Sequence, residues 1–441
     1  MVVVVCLLGL AGADLNVTLL HSQDNFGAVV PLDSGNAPCV PVPGPPYYNT
    51  SRAGGQCYGG LARRSGMVAQ VRAEAQAQNR SVVLLDAGNA NVGSLFYLTF
   101  GSEVIATYYA AMGYDAVKIE VHDFIGKVVQ VANFSSVLAP IPVVSANVVN
   151  LNEDPRFVEA GGAPIQPFAV VDLGPAASGQ RVGYVGTTAV DLGQFFGEPG
   201  LIDSTAELPA MRNTVALLQN MGINKIVAAV SGPNVVDAIV NEVPGIDVLI
   251  VVSDIYGTNL TTITTPTSGP YPTVRQMPWG QPVLIVGTGA NNGKFIGRLD
   301  LVFDDFGVIK SWGGAPVLLD DSSPVDTVMQ ADIVQRQQVV NNQSTRVVGQ
   351  TLVDLAWEND CMFGECTIGL WTTDAMRRAA PEAQIAWYNG GSMYAPIHPG
   401  NITLGQVQTA MPLLNSELHT CELAGEYIWE AMENSLLLVT N

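Results

Sequence analysis

An α/β fold built in layers is what this sequence predicts, from three observations. The chain has 441 residues, 48% of them hydrophobic, enough for two domains with full-sized cores. From residue 15 onward, short β-rich apolar runs alternate with amphipathic helical stretches, the pattern of a layered α/β domain. That pattern breaks at a polar, Gln-rich stretch, 324–342, and resumes beyond it.

The elements follow in order. Residues 15–21, 81–86, 143–147, 182–186, 225–230, 247–252 and 282–287 are apolar-rich runs of strand length and read as buried strands. Between them, 61–78, 95–112, 207–221 and 235–242 carry helical spacing. Ser204, with Glu207 three residues later, predicts a capping box for the third helix. Residues 295–303 then form one arm of a predicted hairpin that turns at Asp304-Asp305-Phe306-Gly307. Residues 324–342 predict an interdomain helix. After Arg346 the sequence predicts a helix over 368–379, a strand over 385–389 and a helix over 423–435. Too little chain follows that helix to close a domain, so the second α/β segment is expected to be incomplete at Asn441.

Charge and processing signals narrow the setting. The 19 basic and 39 acidic residues give a formal net charge of -20. Such a field repels nucleic acid and anionic lipid. Residues 1–13 form a short apolar run that ends in small residues, as a secretory leader does, and it is too short to span a bilayer. No later segment reads as a transmembrane helix. Asn-x-Ser/Thr sequons at Asn16, Asn49, Asn79, Asn133, Asn259, Asn342 and Asn401 join the leader in predicting a secreted glycoprotein. If Cys6 leaves with the leader, five cysteines remain: the pairs Cys39/Cys57 and Cys361/Cys366 close short loops and suit an oxidising compartment, leaving Cys421 over.

An ordered series of motifs then carries a family resemblance. Leu19-Leu20-His21-Ser22-Gln23-Asp24-Asn25-Phe26-Gly27 resembles Leu-His-Thr-Asn-Asp-x-His-Gly. Cys57-Tyr58-Gly59-Gly60-Leu61-Ala62-Arg63 resembles Cys-x-Gly-Gly-x-Ala-Arg, and Leu84-Leu85-Asp86-Ala87-Gly88-Asn89 resembles Leu-Leu-Asp-x-Gly-Asp. Glu120-Val121-His122-Asp123-Phe124-Ile125 reads against Gly-Asn-His-Glu-Phe-Asp. Later, Cys361 to Met376 resembles Cys-Arg-x-x-Glu-Cys-x-x-Gly-Asn-Leu-x-x-Asp-Ala-Met, and Asn389-Gly390-Gly391-Ser392-Met393-Tyr394 resembles Asn-Gly-Gly-Gly-Ile-Arg. These frames resemble the 5'-nucleotidase, apyrase and UDP-sugar hydrolase family. The resemblance implies an αββα metallophosphatase-like domain followed by a 5'-nucleotidase C-terminal domain. The expected organisation is a leader at 1–13, the first domain at 14–320, a helical linker at 321–345 and an incomplete second domain at 346–441.

The same resemblance exposes what is missing. Family members hydrolyse phosphate esters with two divalent, zinc-type metals, which clamp the phosphate and activate water. Here Asp24 is kept, but Phe26 replaces a His ligand, Asn89 the bridging Asp, Val121 an Asn, and Val230, Ser253 and Ile255 three imidazoles. A neutral amide brings no charge to offset the repulsion of two dications. Asp24 and Asn89 are therefore vestigial metal positions, and Asp254 lies one residue out of register. The whole chain holds four histidines. His122, the family's catalytic imidazole, has Ile125 where its supporting Asp belongs; the bland reading is a hydrogen-bonded structural His. Substrate contacts thin out in parallel: Met362 and Tyr394 replace arginines and Leu413 an aromatic, leaving Asn389, Gly390 and Gly391 as a vestigial substrate loop.

Bland readings apply to the other candidates. Asp304 and Asp305 read as a solvated hairpin tip, Arg63 and Arg64 as packing and surface, and Trp371 and Trp387 as core residues. No cofactor is expected. The function expected is that of a secreted, catalytically degenerate family member with a protein or extracellular-matrix partner, or a weak nucleotide or sugar ligand. The alternative is an active phosphohydrolase with two divalent metals, or a shifted site on Asp24, Asn89, His122 and Asp254.

Overall fold

The structure is a computed structural model that describes residues 14–34, 36–41, 48–49, 56–174, 177, 179–190, 192, 202–257, 267–289, 292–304, 306–357, 361, 364–411 and 418–436. It divides into two compact units, and the division falls between Gln337 and Gln338, inside one helix. The leader at 1–13 lies outside the described residues.

Two six-stranded sheets form the first unit. The first contains β1 (Leu15–Ser22), β2 (Ser81–Asp86), β3 (Ala116–Lys118) and β4 (Val143–Val144). The second contains β5 (Phe168–Asp172), β6 (Arg181–Gly186), β7 (Ile226–Val230), β8 (Val248–Val251), β9 (Thr273–Gln276) and β10 (Pro282–Val286). The hairpin β11 (Phe295–Phe303) and β12 (Ile309–Leu318) returns to the first sheet beside β1. The strand orders are β12-β11-β1-β2-β3-β4 and β9-β10-β8-β7-β6-β5. Strands β1 to β4 pair in parallel, as do β6, β7, β8 and β10. Parallel strands covered on both faces need apolar side chains throughout, which is why β7 (IVAAV) and β8 (VLIV) show no alternation and are buried at every position.

The inner faces of both sheets share one core, with Leu19 and Leu85 from the first packed with Tyr184, Ala229 and Ile250 from the second. Helices α1 (Leu61–Ala77), α2 (Leu95–Phe100), α3 (Ser102–Met112) and α4 (Lys127–Leu138) follow the strands of the first sheet, and α1 packs on β2. On the second sheet, Leu218 of α5 (Glu207–Asn220) and Ile239 of α6 (Val236–Glu242) pack on Ala228 and Leu249. These layers are the αββα arrangement expected.

Several local expectations change. The helix expected over 95–112 is two, because Gly101 takes φ 72° and ends the first. Ser204 does not cap α5: its hydroxyl donates to the Ala189 carbonyl at 2.5 Å, and Ala206 is the N-cap residue. Glu207 instead accepts the Thr187 hydroxyl at 2.7 Å. The turn after β11 is held by Asp304, whose carboxylate accepts the amides of Phe306 and Val308, both at 2.9 Å. Asp305 lies outside the described residues. Cys39 is bridged to Cys57 and Cys361 to Cys366, with Cα separations of 6.3 and 5.1 Å, and Cys421 is free and exposed. Arg63 and Arg64 do pack, but not at the surface: both guanidinium groups are buried. The first donates to the Cys57 carbonyl and the second to Asn25 at 2.8 Å.

The second unit begins within α7 (Thr327–Ser344). It holds a two-stranded sheet of β13 (Val347–Thr351) and β14 (Gly400–Thr403) and the helices α8 (Thr367–Ala379), α9 (Leu404–Ala410) and α10 (Gly425–Leu436), with α9 packed on β14. Leu355, Ile368, Ile397 and Ile402 fill its core, with Trp371 packed against them. No strand forms at 385–389, and Trp387 is 47% exposed rather than in the core.

Candidate functional site

In α/β sheets, ligand sites sit beyond the carboxyl ends of parallel strands. Asp24, Asn89 and His122 lie two, three and four residues past the ends of β1, β2 and β3. Val230 ends β7, and Ser253 follows β8 by two residues. The topology therefore delivers the expected positions to one end of the sandwich. The turns that carry them need unusual backbone: Asp24, Phe26, Asn89 and Ser253 all have positive φ, from 45° to 67°. Asn tolerates that region better than most residues, which suits position 89.

Direct hydrogen bonds fill the centre. The Asn89 side-chain amide donates to Asp24 Oδ1 at 2.7 Å. Asp24 Oδ2 accepts the Ser253 backbone amide at 2.9 Å, so this carboxylate ties the first sheet to the turn after β8 in the second. Because Nδ2 of Asn89 faces a carboxylate, its Oδ1 faces the other way. There it accepts the His122 backbone amide at 3.1 Å and lies 3.2 Å from His122 Nδ1. An acceptor oxygen selects the tautomer in which Nδ1 carries the proton. Phe26 stands edge-on to the imidazole, with ring centroids 5.4 Å apart at 87°.

Burial sets the electrostatics. It pushes the Asp24 carboxyl up to about 6, against the lowering effect of Asn89, Ser253 and Lys118. Asp123 rises to about 6 for the same reason, although its carboxylate accepts the amides of Asn89, Asn91 and Glu120 at 3.0, 2.8 and 2.8 Å. Burial lowers His122 from its ordinary value, with Glu120 opposing, which favours a neutral imidazole.

These residues do not fit a pair of dications. The shared edge of Asp24 and Asn89, where a bridging ligand would present oxygen, presents an amide N–H. Both Asp24 oxygens already accept protein N–H groups. Val121, Val230 and Ile255 offer no donor atom, and Val230 and Ile255 are buried. Asp254 turns elsewhere and accepts the Tyr256 hydroxyl at 3.2 Å. Among the described residues, no three His, Cys, Asp or Glu side chains converge as a metal-binding group would.

In the second unit, the Asn389 side chain accepts the Gly391 amide at 3.0 Å, so that loop closes on itself. Met362 and Leu413 lie outside the described residues. Sequence reasoning missed Lys118, Glu120 and Asp123, all buried beside the centre. The available signal was a Lys at 118 and a Glu at 120 in a short run that is otherwise apolar, Ala116 to Val121.

Known proteins match this arrangement. Residues 347–440 match the family model of the 5'-nucleotidase C-terminal domain. Over 439 residues the chain is 29% identical to a 5'-nucleotidase of Bos taurus, spanning 95% of this chain and 72% of that protein. The solved structure of a 5'-nucleotidase precursor from Thermus thermophilus is similar with a TM-score of 0.78 at 25% identity, covering 96% of this chain and 79% of that one. A calcineurin-like phosphoesterase from Bacillus subtilis shares the fold, with a TM-score of 0.52 at 17% identity over 75% of this chain and 99% of that one.

Proposed function

Because this chain belongs to the 5'-nucleotidase family by sequence and by fold, we propose that it is a secreted glycoprotein in which the scaffold has outlived the reaction. Its role is then extracellular binding of a protein or matrix partner, or a structural one. The observation that carries this reading is the Asn89 amide hydrogen-bonded to Asp24, in the place where the family's chemistry needs a bridging carboxylate.

Secretion is supported by the apolar start of the sequence and by two bridged cysteine pairs. The sequon asparagines Asn79, Asn342 and Asn401 are exposed, as glycan attachment requires. Asn16 and Asn133 are partly covered, and the Asn49 side chain and Asn259 lie outside the described residues. No helix among the described residues is long and apolar enough to cross a membrane.

The test is phosphate release from AMP by the purified protein with added Zn²⁺ or Mn²⁺. The expected result is a rate no different from that of protein treated with chelator. Metal-dependent turnover that follows the protein through purification would overturn the proposal.

A further inference from the structure

Two charges buried in the same end of the sandwich have no part in the family's chemistry. Lys118, the last residue of β3, is 0% exposed, and Glu120, two residues on, is 1% exposed. Their side chains form an ion pair. The Lys118 ammonium also donates to the Ala87 carbonyl at 3.1 Å. The other Glu120 oxygen accepts the backbone amides of Val121 at 2.8 Å and Ala189 at 2.9 Å. One pair thus ties together three segments: the turn that carries Asn89, the β3 exit that carries His122, and the loop after β6 in the second sheet.

Room for the pair is made by two glycines. A Cβ on Gly186 would lie 2.7 Å from both Cγ and Cδ of Lys118, and one on Gly88 would lie 2.7 Å from Glu120 Cβ. Contacts that close mean the Lys118 stem runs against the bare backbone of β6. Around the pair, Asp24, Asp86 and Asp123 are also buried, and Arg63, Arg64 and Lys294 are further buried cations of this unit. Burying an ion pair costs desolvation that a well-packed apolar pair would avoid. A pair kept at that cost, at the junction of three segments, marks a tie that an apolar pair could not make.

We infer that the buried Lys118–Glu120 pair is a built-in ionic tie at this site, holding the three segments together where relatives of the fold would rely on a metal. The inference deepens the metal-free reading above and rests on it.

The experiment is a set of thermal melts on the full chain: wild type, Lys118→Met, Glu120→Gln and the double variant, each with EDTA and with Zn²⁺. Each single change strands a buried charge and is expected to lower Tm by on the order of 10 °C. The double variant, which strands none, is expected to recover more than half of that loss. Zn²⁺ and EDTA are expected to leave the wild-type Tm unchanged. Losses that simply add in the double variant, or a Lys118→Met protein as stable as wild type, overturn the inference and leave the metal-free reading standing. If Lys118→Met does not fold, the double variant decides: folding supports the inference, and failure to fold overturns it. A wild-type Tm that falls in EDTA, with the coupling intact, instead overturns the metal-free reading and with it the substitution for a metal.

Discussion

Asn89 decides the chemistry of this molecule at the scale of single residues. An aspartate there would be acceptor-only; the asparagine is a donor toward Asp24 and an acceptor toward His122, so one side chain joins the other two without a cation. Restoring the acid makes the point testable. Asn89→Asp would set two carboxylates about 2.7 Å apart, and the pair must then hold a proton or pay in repulsion. Burial already holds Asp24 at about 6, above its ordinary 3.8, so the folded state takes up protons more readily than the unfolded chain. Such a group stabilises at low pH and loses that stability as pH rises through the folded value. We expect Asn89→Asp to cost about 2–4 kcal/mol in urea unfolding at pH 8 and clearly less at pH 5. An equal cost at both would contradict this geometry. The identities at positions 24, 26, 89, 121 and 230 were all legible in the sequence. That the Asn89 amide turns into the line of Asp24 was not, because it depends on a turn in the other sheet placing the Ser253 amide on the second oxygen. Lys118 escaped notice for a related reason. A lysine in a strand ordinarily faces water, and only the packing of β6 shows that this one does not.

At the scale of elements, the apolar runs that became β2, β7 and β8 were readable, because strands buried on both faces leave no alternation to confuse. Short strands such as β3 and β5 were missed; the first has only three residues. The 385–389 run has strand composition but no partner strand among the described residues, and composition alone does not make a ladder. Helix α1 shows tertiary packing overruling propensity. Gly66 sits inside it, where alanine would ordinarily gain about 1 kcal/mol. A Cβ there would lie 2.4 Å from the Pro324 carbonyl oxygen, a backbone atom that cannot swing away. Gly66→Ala is accordingly expected to lose about 1–3 kcal/mol in urea unfolding, despite its better helix former. A gain in stability would show that the close approach of α1 to Pro324 is wrong.

Across the whole molecule, a shared scaffold and an altered centre coexist because they depend on different residues. The αββα sandwich needs apolar strands, covering helices and positive-φ turns, and these persist. A two-metal centre needs charge and imidazole converging at the strand ends, and there Phe26, Val121, Val230 and Ile255 stand instead. On the function proposed above, fold and reaction are separable here, as is general for folds that host many functions. The most direct measurement is the metal content of the full chain, equilibrated with excess Zn²⁺ and Mn²⁺, desalted and read by elemental mass spectrometry. A chain whose centre is closed by the Asp24–Asn89 hydrogen bond is expected to retain far less than one ion. Two ions per chain, lost together when Asp24 is changed to Ala, would contradict it.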